Sequence, residues 1–474
     1  MLIHHVEPSI QDVAAAGRRA PAYAWLVFGL TVGLLLSDYM SRQVLNAVFP
    51  LLKQAWALSD TQLGSLSGVV ALLVGLLTFP LSVLADRFGR VRSIVLMAAL
   101  WSVATLGCAL STHYTEMLVA RGLVGLGEAA YGSVGVALIL SIFPARLRAT
   151  LTGAFMAGGA FGSVFGMALG GLVGAHLGWR WSFGVMAALG IVLLVAYRCV
   201  VTERRLAAYR SEFGTEYGTE YGTEYGTEYG TEYGTEYGTE CGAEPCRRDS
   251  DTPRDLRGSV RVLMSGLFAS RSVICAYLGS GLHLFVPGAL FAWLPSYLNR
   301  YYAMAPDRAA VLAAGFVLLA GIGMVGCGIV TDRVGKTDGK RKWLTAIAYC
   351  VLTGVCLAVA FRLPPGPLQL ALICAGMLVG AGASGASGAM VANLTPAAIH
   401  ASAFATLTLA NNLLGMAPGP LLTGWAADRA GLVGALQWIP VVPLMAAVLF
   451  AIGRASYVAD LARVERERRA SRLS

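Results

Sequence analysis

The stretch L-A-D-R-F-G-R-V-R-S at residues 84–93 returns in altered form as I-V-T-D-R-V-G-K-T-D-G-K-R-K at residues 329–342. Asp86, Arg87, Gly89 and Arg90 of the first copy match Asp332, Arg333, Gly335 and Lys336 of the second. Each copy follows the second apolar segment of its half of the chain, so the sequence reads as a duplicated multi-helix unit. Parallel repeats related by an axis along the membrane normal are a transporter design. The local physics suits a helix hairpin: Gly permits a tight turn, and Asp favours a helix N-terminus and accepts charge from Arg. Asp86 with Arg87 and Arg90, and Asp332 with Arg333, are therefore expected to act as conformational latches, bonded in one state and released in another.

Apolar runs surround both copies. They fall at about 24–50, 62–84, 93–112, 116–141, 149–174 and 180–201, and resume at about 272–297, 309–331, 343–362, 368–394, 401–426 and 433–453. A membrane-crossing helix needs about 20 apolar residues, so these are twelve candidate spans. The expected fold is an all-α polytopic membrane protein with twelve transmembrane helices in two six-helix halves. The expected organisation is an N-terminal tail (1–22), a first bundle (23–203), a central loop (204–265), a second bundle (266–454) and a C-terminal tail (455–474). Of the 474 residues, 56% are hydrophobic and 13% charged, against about 25% charged in soluble domains. That excludes a soluble enzyme, a disordered chain and a disulfide-rich secreted protein.

The basic residues orient the bundle. With both termini on the cytoplasmic side, 28 of the 36 Lys and Arg fall on that side and six on the other, while Arg42 and Arg121 lie within spans. This is the bias of a multi-pass protein in a cytoplasmic (inner) membrane. The net charge of +9 thus marks orientation rather than nucleic-acid binding. Residues 1–22 hold several charges, and the apolar run from Tyr23 outlasts the roughly 7–15 residues of a signal-peptide core; it reads as the first span. The nine cysteines show neither a disulfide framework nor metal spacing. No phosphate-binding loop appears, and the G-x-G patterns lie in spans without a preceding strand. No metal, cofactor or nucleotide is expected.

The central loop holds eight tetrads from Ser211 to Gly242: SEFG, six copies of TEYG, and TECG. Gly at every fourth position costs a helix about 1 kcal/mol each time, so the tract reads as a flexible acidic linker. A partner-docking role is the alternative.

Charges inside spans are costly enough to be informative. Asp38 and Arg42 are four apart in the first span and share a helical face, which Asn46 continues. Glu128 sits in R-G-L-V-G-L-G-E-A-A-Y at 121–131. A carboxyl in such surroundings is cheap when neutral and costly when charged, so it suits proton carriage. Arg121 reads as structural and nearer the membrane edge. His283 is the single in-span His of the second half. With Asn411 it is a candidate for coupling or substrate binding, beside Asp38, Arg42 and Glu128; Tyr277 and Asn412 are further polar candidates. Trp293 and Tyr297 read as belt aromatics at the membrane surface. Small-residue runs at 158–174, 376–388 and 415–424 predict close helix crossings, with kinks at Pro418 or Pro420.

These features resemble the major facilitator superfamily, through the paired DRFGR and DRVGK loops, R-G-x-x-G-x-G at 121–127 and the small-residue run of the fifth span. Within it, S-D-Y-M-S-R-Q-V-L at 37–45, L-S-D-T-Q-L-G at 58–64, the 121–131 segment and G-W-R-W-S-F at 178–183 are similar to the spinster-like branch. The resemblance implies secondary transport by alternating access, driven by protons or another gradient, with Glu128 in the place of the family's buried carboxyl. The family's first-helix motif is N-Y-x-D-R-Q-V-L. Its Arg matches Arg42, but Ser41 stands for its Asp and Asp38 for its Asn, so the carboxyl has moved back one turn. Ser82 replaces the glycine usually four residues before Asp86, while the second copy keeps Gly328.

The expected function is therefore a secondary transporter and not an enzyme, with the proton as coupling ion and the lipid bilayer as its surroundings. Its substrate is expected to be a small organic anion facing Arg42, or an amphipathic, lipid-like solute. A non-transporting receptor or scaffold of the same fold is the rival; it would have no reason to keep charges in the bilayer.

Overall fold

The computed structural model describes residues 22–209, 266–268, 270–335, 339–395 and 399–470. The tetrads at 211–242 lie outside the described residues, as do most of the central loop and nearly all of the N-terminal tail. Seventeen longer α-helices carry the fold among the described residues. In the first half they are α1 (Ala22–Ala47), α2 (Phe49–Trp56), α3 (Asp60–Phe88), α4 (Arg90–Leu110), α5 (Tyr114–Glu128), α6 (Tyr131–Leu140), α7 (Ala145–Leu177) and α8 (Trp179–Val200). In the second they are α9 (Arg271–His283), α10 (Phe285–Tyr301), α11 (Pro306–Gly335), α12 (Lys340–Ala360), α13 (Pro367–Gly380), α14 (Ala383–Leu394), α15 (His400–Asn411), α16 (Pro418–Trp438) and α17 (Val441–Ala470). α17 runs through much of the segment expected as a tail.

Among the described residues, eleven helical stretches are long and apolar enough to cross a membrane. The expected span at 401–426 is not among them. It is divided between α15, a π-helical turn at Asn412–Met416 and α16, whose first residue is Pro418. Other spans read from sequence as continuous also break midway. α1 gives way to α2 at Val48, α5 to α6 at Ala129–Ala130, α9 to α10 at Leu284, and α13 to α14 at Ala381–Gly382. Gly89, the motif glycine between α3 and α4, has φ 91°, a conformation that side chains with a Cβ rarely adopt.

Ser59 caps α3. Its hydroxyl accepts from the Gln62 amide while Gln62 accepts from the Ser59 amide, the reciprocal arrangement that satisfies two otherwise free donors. Many large apolar side chains are exposed, among them Val103 at 62%, Val192 at 64% and Trp438 at 71%. Such a surface is stable against lipid rather than water.

The buried core is asymmetric along the bundle. At the end where α3 begins, the Asp60 end, both halves share one core: Phe49, Leu52, Leu63 and Leu66 pack with Leu290, Trp293 and Ala310. At the end carrying Asp86 each half has its own, around Trp101, Tyr131 and Phe155 in one and around Trp343, Met390 and Phe450 in the other. The halves are thus joined at the Asp60 end and apart at the Asp86 end. Glycines make the joint close: a Cβ on Gly64 or Gly68 of α3 would overlap the carbonyl of Pro420 or Ala417.

Candidate functional site: a buried charge cluster beside a two-sided cavity

Asp38, Ser41 and Arg42 project from one face of α1 toward the last residue of α5. That residue is Glu128, placed at the break where the fourth span changes course. Arg42 Nε donates to Glu128 Oε2 across 2.5 Å. The Ser41 hydroxyl lies 3.3 Å from Glu128 Oε1 and 2.8 Å from the Asp38 carbonyl oxygen. Asp38 is buried in the same cluster, 3% exposed, and its Oδ1 has no hydrogen-bond partner. The structure therefore brings together the three charges singled out in the sequence. The carboxyl moved back one turn still faces Glu128, because residues three and four apart share a helical face.

Arg121 is fully buried rather than peripheral. Its guanidinium donates to the carbonyls of Ser41 at 2.9 Å, of Arg42 at 3.5 Å and of Leu66 at 3.5 Å. It ties α5 to the backbones of α1 and α3 directly behind Arg42. A cation buried in this way needs its donors filled, and backbone oxygens fill them.

A cavity opens beside Arg42 between the two halves. Arg42, Gln43, Asn46 and Ser67 make its polar wall, while Gly288, Phe291, Met416 and Pro420 face them from the second half. Ser67 donates to Asn46 at 3.1 Å, and Asn46 to Gln43 at 2.7 Å. The charged and hydrogen-bonding groups all come from the first half, which also adds Val70 and Ala71, while the second half adds only apolar surface; the cavity measures about 40 Å³.

The second-half candidates are elsewhere. His283 is buried against Cys350, Nδ1 to Sγ 3.3 Å. Asn411 accepts from Ser280 at 2.8 Å, a bond internal to that half. Trp293 and Tyr297 are not belt aromatics. Both are buried, Trp293 donating to the Pro420 carbonyl at 2.9 Å and Tyr297 to Gln369 at 2.9 Å. The 84–93 loop is held by other contacts: Arg90 donates to the Ala137 carbonyl at 3.1 Å, and Glu203 accepts from the Val91 amide at 3.1 Å. Arg87, Asp332 and Arg333 are exposed, and the Asp86 side chain lies outside what is described.

Sequence reasoning missed the densest polar cluster of the Asp60 end. Asp60 accepts from Lys53 at 2.5 Å and, through both oxygens, from Arg300 at 2.7 and 2.8 Å. Asp428 accepts from the amides of Asp60 at 2.7 Å and Thr61 at 2.8 Å, and from the Thr61 hydroxyl at 2.5 Å. The available signal was the S-D-T-Q capping pattern at 59–62; Lys53 and Arg300 had been read only as orientation charges.

Comparison with known proteins agrees with the resemblance. A family model described as Major Facilitator Superfamily matches residues 31–420. Protein spinster homolog 1 of Homo sapiens is 29% identical over 203 residues, 42% of this chain and 38% of that protein. Its Bos taurus namesake is 23% identical over 496 residues, 98% of this chain and 87% of that protein. A protein named "Probable sphingolipid transporter spinster homolog 1" in Arabidopsis thaliana is 26% identical over 274 residues, 56% of this chain and 52% of that one. Among solved structures, a bacterial homolog to the human lysosomal transporter Spinster, inward-facing and unoccupied, superposes with a TM-score of 0.74 at 18% identity, over 93% of this chain and 99% of that one.

Proposed function

The chain belongs to the Major Facilitator Superfamily as a secondary transporter, not an enzyme, and resembles the spinster-like branch; we propose that it is a proton-coupled carrier of an amphipathic, lipid-like solute. The observation that carries the coupling is the Arg42–Glu128 bond with Asp38 alongside. One guanidinium faces two carboxyls, and the nearest other cation, Arg121, is engaged with carbonyls. Two carboxyls near one another in a buried site repel when both are charged, which supports a proton-carrying role for the pair. Substrate or conformational change that draws Arg42 away from Glu128 alters the cost of that proton, and this is the coupling. Changing the proton in turn alters the hold on Arg42, since such linkage is reciprocal.

The chemistry of the cavity lining supports the substrate class, although at about 40 Å³ the cavity must widen to admit such a solute. A polar or anionic head meets Arg42, Gln43, Asn46 and Ser67, while apolar surface meets Phe291 and Met416. The sphingolipid named for the Arabidopsis relative has this kind of chemistry. A small organic anion is the second reading, favoured by Arg42, whose side chain remains 20% exposed.

Alternating access between two six-helix halves, twelve spans in all, is part of the proposal. So is placement in a cytoplasmic membrane with both termini inside, for which the surplus of Lys and Arg is the support. On that orientation the shared core closes the outer end and the cavity is reached from the cytoplasm. The test is an uptake and efflux screen of metabolites and lipids in proteoliposomes with an imposed pH gradient. Movement of an amphipathic solute that collapses with the gradient is the expected result; transport indifferent to the gradient defeats the coupling.

A further inference from the structure

We propose that Lys53, Asp60, Arg300 and Asp428 form an exchangeable charge quartet that gates the Asp60 end. The inference rests on the alternating-access reading and goes beyond it by naming the residues that hold this end shut. Each half brings one acid and one base: Lys53 and Asp60 from the first, Arg300 and Asp428 from the second. In the closed end the bonds cross between halves. Arg300 grips both oxygens of Asp60, at 2.7 and 2.8 Å. Asp428 takes the first two amides of α3, at 2.7 and 2.8 Å, where a helix N-terminus favours a carboxylate. Asp60 is 3% exposed, whereas Lys53 and Arg300 are partly exposed and Asp428 is exposed, so the quartet sits at the boundary between core and water.

The same residues have partners that need no second half. Lys53 holds Asp60 within the first half at 2.5 Å, and the Ser59–Gln62 capping box keeps α3 capped when Asp428 withdraws. In the second half, Arg300 and Asp428 both meet Asp60, on neighbouring helices that are also joined by the Trp293 bond to Pro420. On this proposal they pair with each other once Asp60 leaves. Opening thus exchanges cross-half pairs for within-half pairs and strands no charge. A plain interdomain salt bridge would expose unpaired groups each time it broke.

The test reads the gate without transport. Spectroscopic labels carried on unnatural amino acids at Thr115 and Pro365, one on each half at this end, leave the native cysteines in place and report the distance across it. Arg300→Glu and Asp60→Lys are each expected to raise the open population about tenfold, between the small effect of an exposed pair and the larger one of a fully buried pair. The double variant Asp60→Lys with Arg300→Glu restores two acids and two bases and is expected to return the distance to the closed value. Single variants that leave the distance unchanged, or a double variant as open as either single, overturn the proposal. If a reversal variant fails to fold, Arg300→Met and Asp428→Asn carry the same expectation without introducing a like charge. A missing proton effect on transport leaves these distances untouched, while an unmoved gate in a transporting protein rejects only the gate.

Discussion

Arg42 on α1 and Glu128 at the end of α5 are joined by a 2.5 Å bond between Nε and Oε2, and this bond spans the point where the fourth span breaks. One end of the bond faces the cavity and the other is sealed. Anything that binds Arg42 from the cavity therefore competes with Glu128 for it.

Glu128→Gln removes the carboxyl proposed to carry the proton but keeps its shape and can still accept a bond from Arg42. Transport driven by a pH gradient in proteoliposomes is expected to fall by at least about tenfold, as for loss of a general acid–base group. Thermal unfolding in detergent should stay close to that of the parent. Proton-driven transport at the parent rate would remove Glu128 from the coupling.

Asp38→Asn is expected to weaken coupling in the same assay, because Glu128 then has no second carboxyl with which to share a proton. Adding Ser41→Asp to Asp38→Asn places a carboxyl where the family pattern has it, one turn along the same helix face. Partial recovery of gradient-driven transport is the expected outcome; no recovery would mean that the position, not the charge, matters.

Arg121→Met leaves the Ser41, Arg42 and Leu66 carbonyls without their guanidinium. A loss of about 1–3 kcal/mol is expected, the cost of unmet buried acceptors. Thermal denaturation of the purified protein measures it, and Arg121→Lys should recover part of the loss. An unshifted melting temperature would deny the clamp.

Two glycines separate close packing from open space. Gly64→Ala drives a Cβ into the Pro420 carbonyl, whereas Gly29 has no atom within 4 Å of the equivalent position. Gly64→Ala is expected to destabilise the closed end by about 1–3 kcal/mol, as overpacking does. Gly29→Ala should be neutral or stabilising by up to about 1 kcal/mol, since Ala favours helix. Comparable melting shifts for both would contradict the α3–α16 contact.

Deleting residues 215–238, the six TEYG tetrads, should leave transport near the parent rate. Loss of transport in protein that still reaches the membrane would give the tract a role that its composition does not announce.

The charge cluster was legible because Asp38, Arg42 and Glu128 are expensive in a bilayer, and helical spacing alone puts two of them on one face. Their meeting with Glu128 depends on the crossing of α1 and α5, which no local pattern encodes. His283 and Asn411 drew attention by the same rule of polarity, but the partners they have lie inside their own half: Cys350 at His283 Nδ1, whose Nε2 is left without one, and Ser280 at Asn411. Asp60, Arg300 and Asp428 escaped notice for the opposite reason. Charges at the ends of spans are ordinary, and only three-dimensional contact distinguishes a gate from an orientation signal. The π turn at Asn412–Met416 left no periodic trace either, since an apolar run looks alike whether its hydrogen bonds step by four residues or by five.

Glu203 holds the start of α4 through the Val91 amide, and Tyr209 lies against Tyr23 with ring centroids 5.8 Å apart. The chain is thus moored to the first half just before the tetrads begin. Copy number in a tandem array drifts readily when a replicating strand slips. With its departure point fixed by Glu203 and Tyr209, a change in the number of tetrads would begin beyond the anchored helices. Length added or lost there is a question for the loop, not for the packing of the first half.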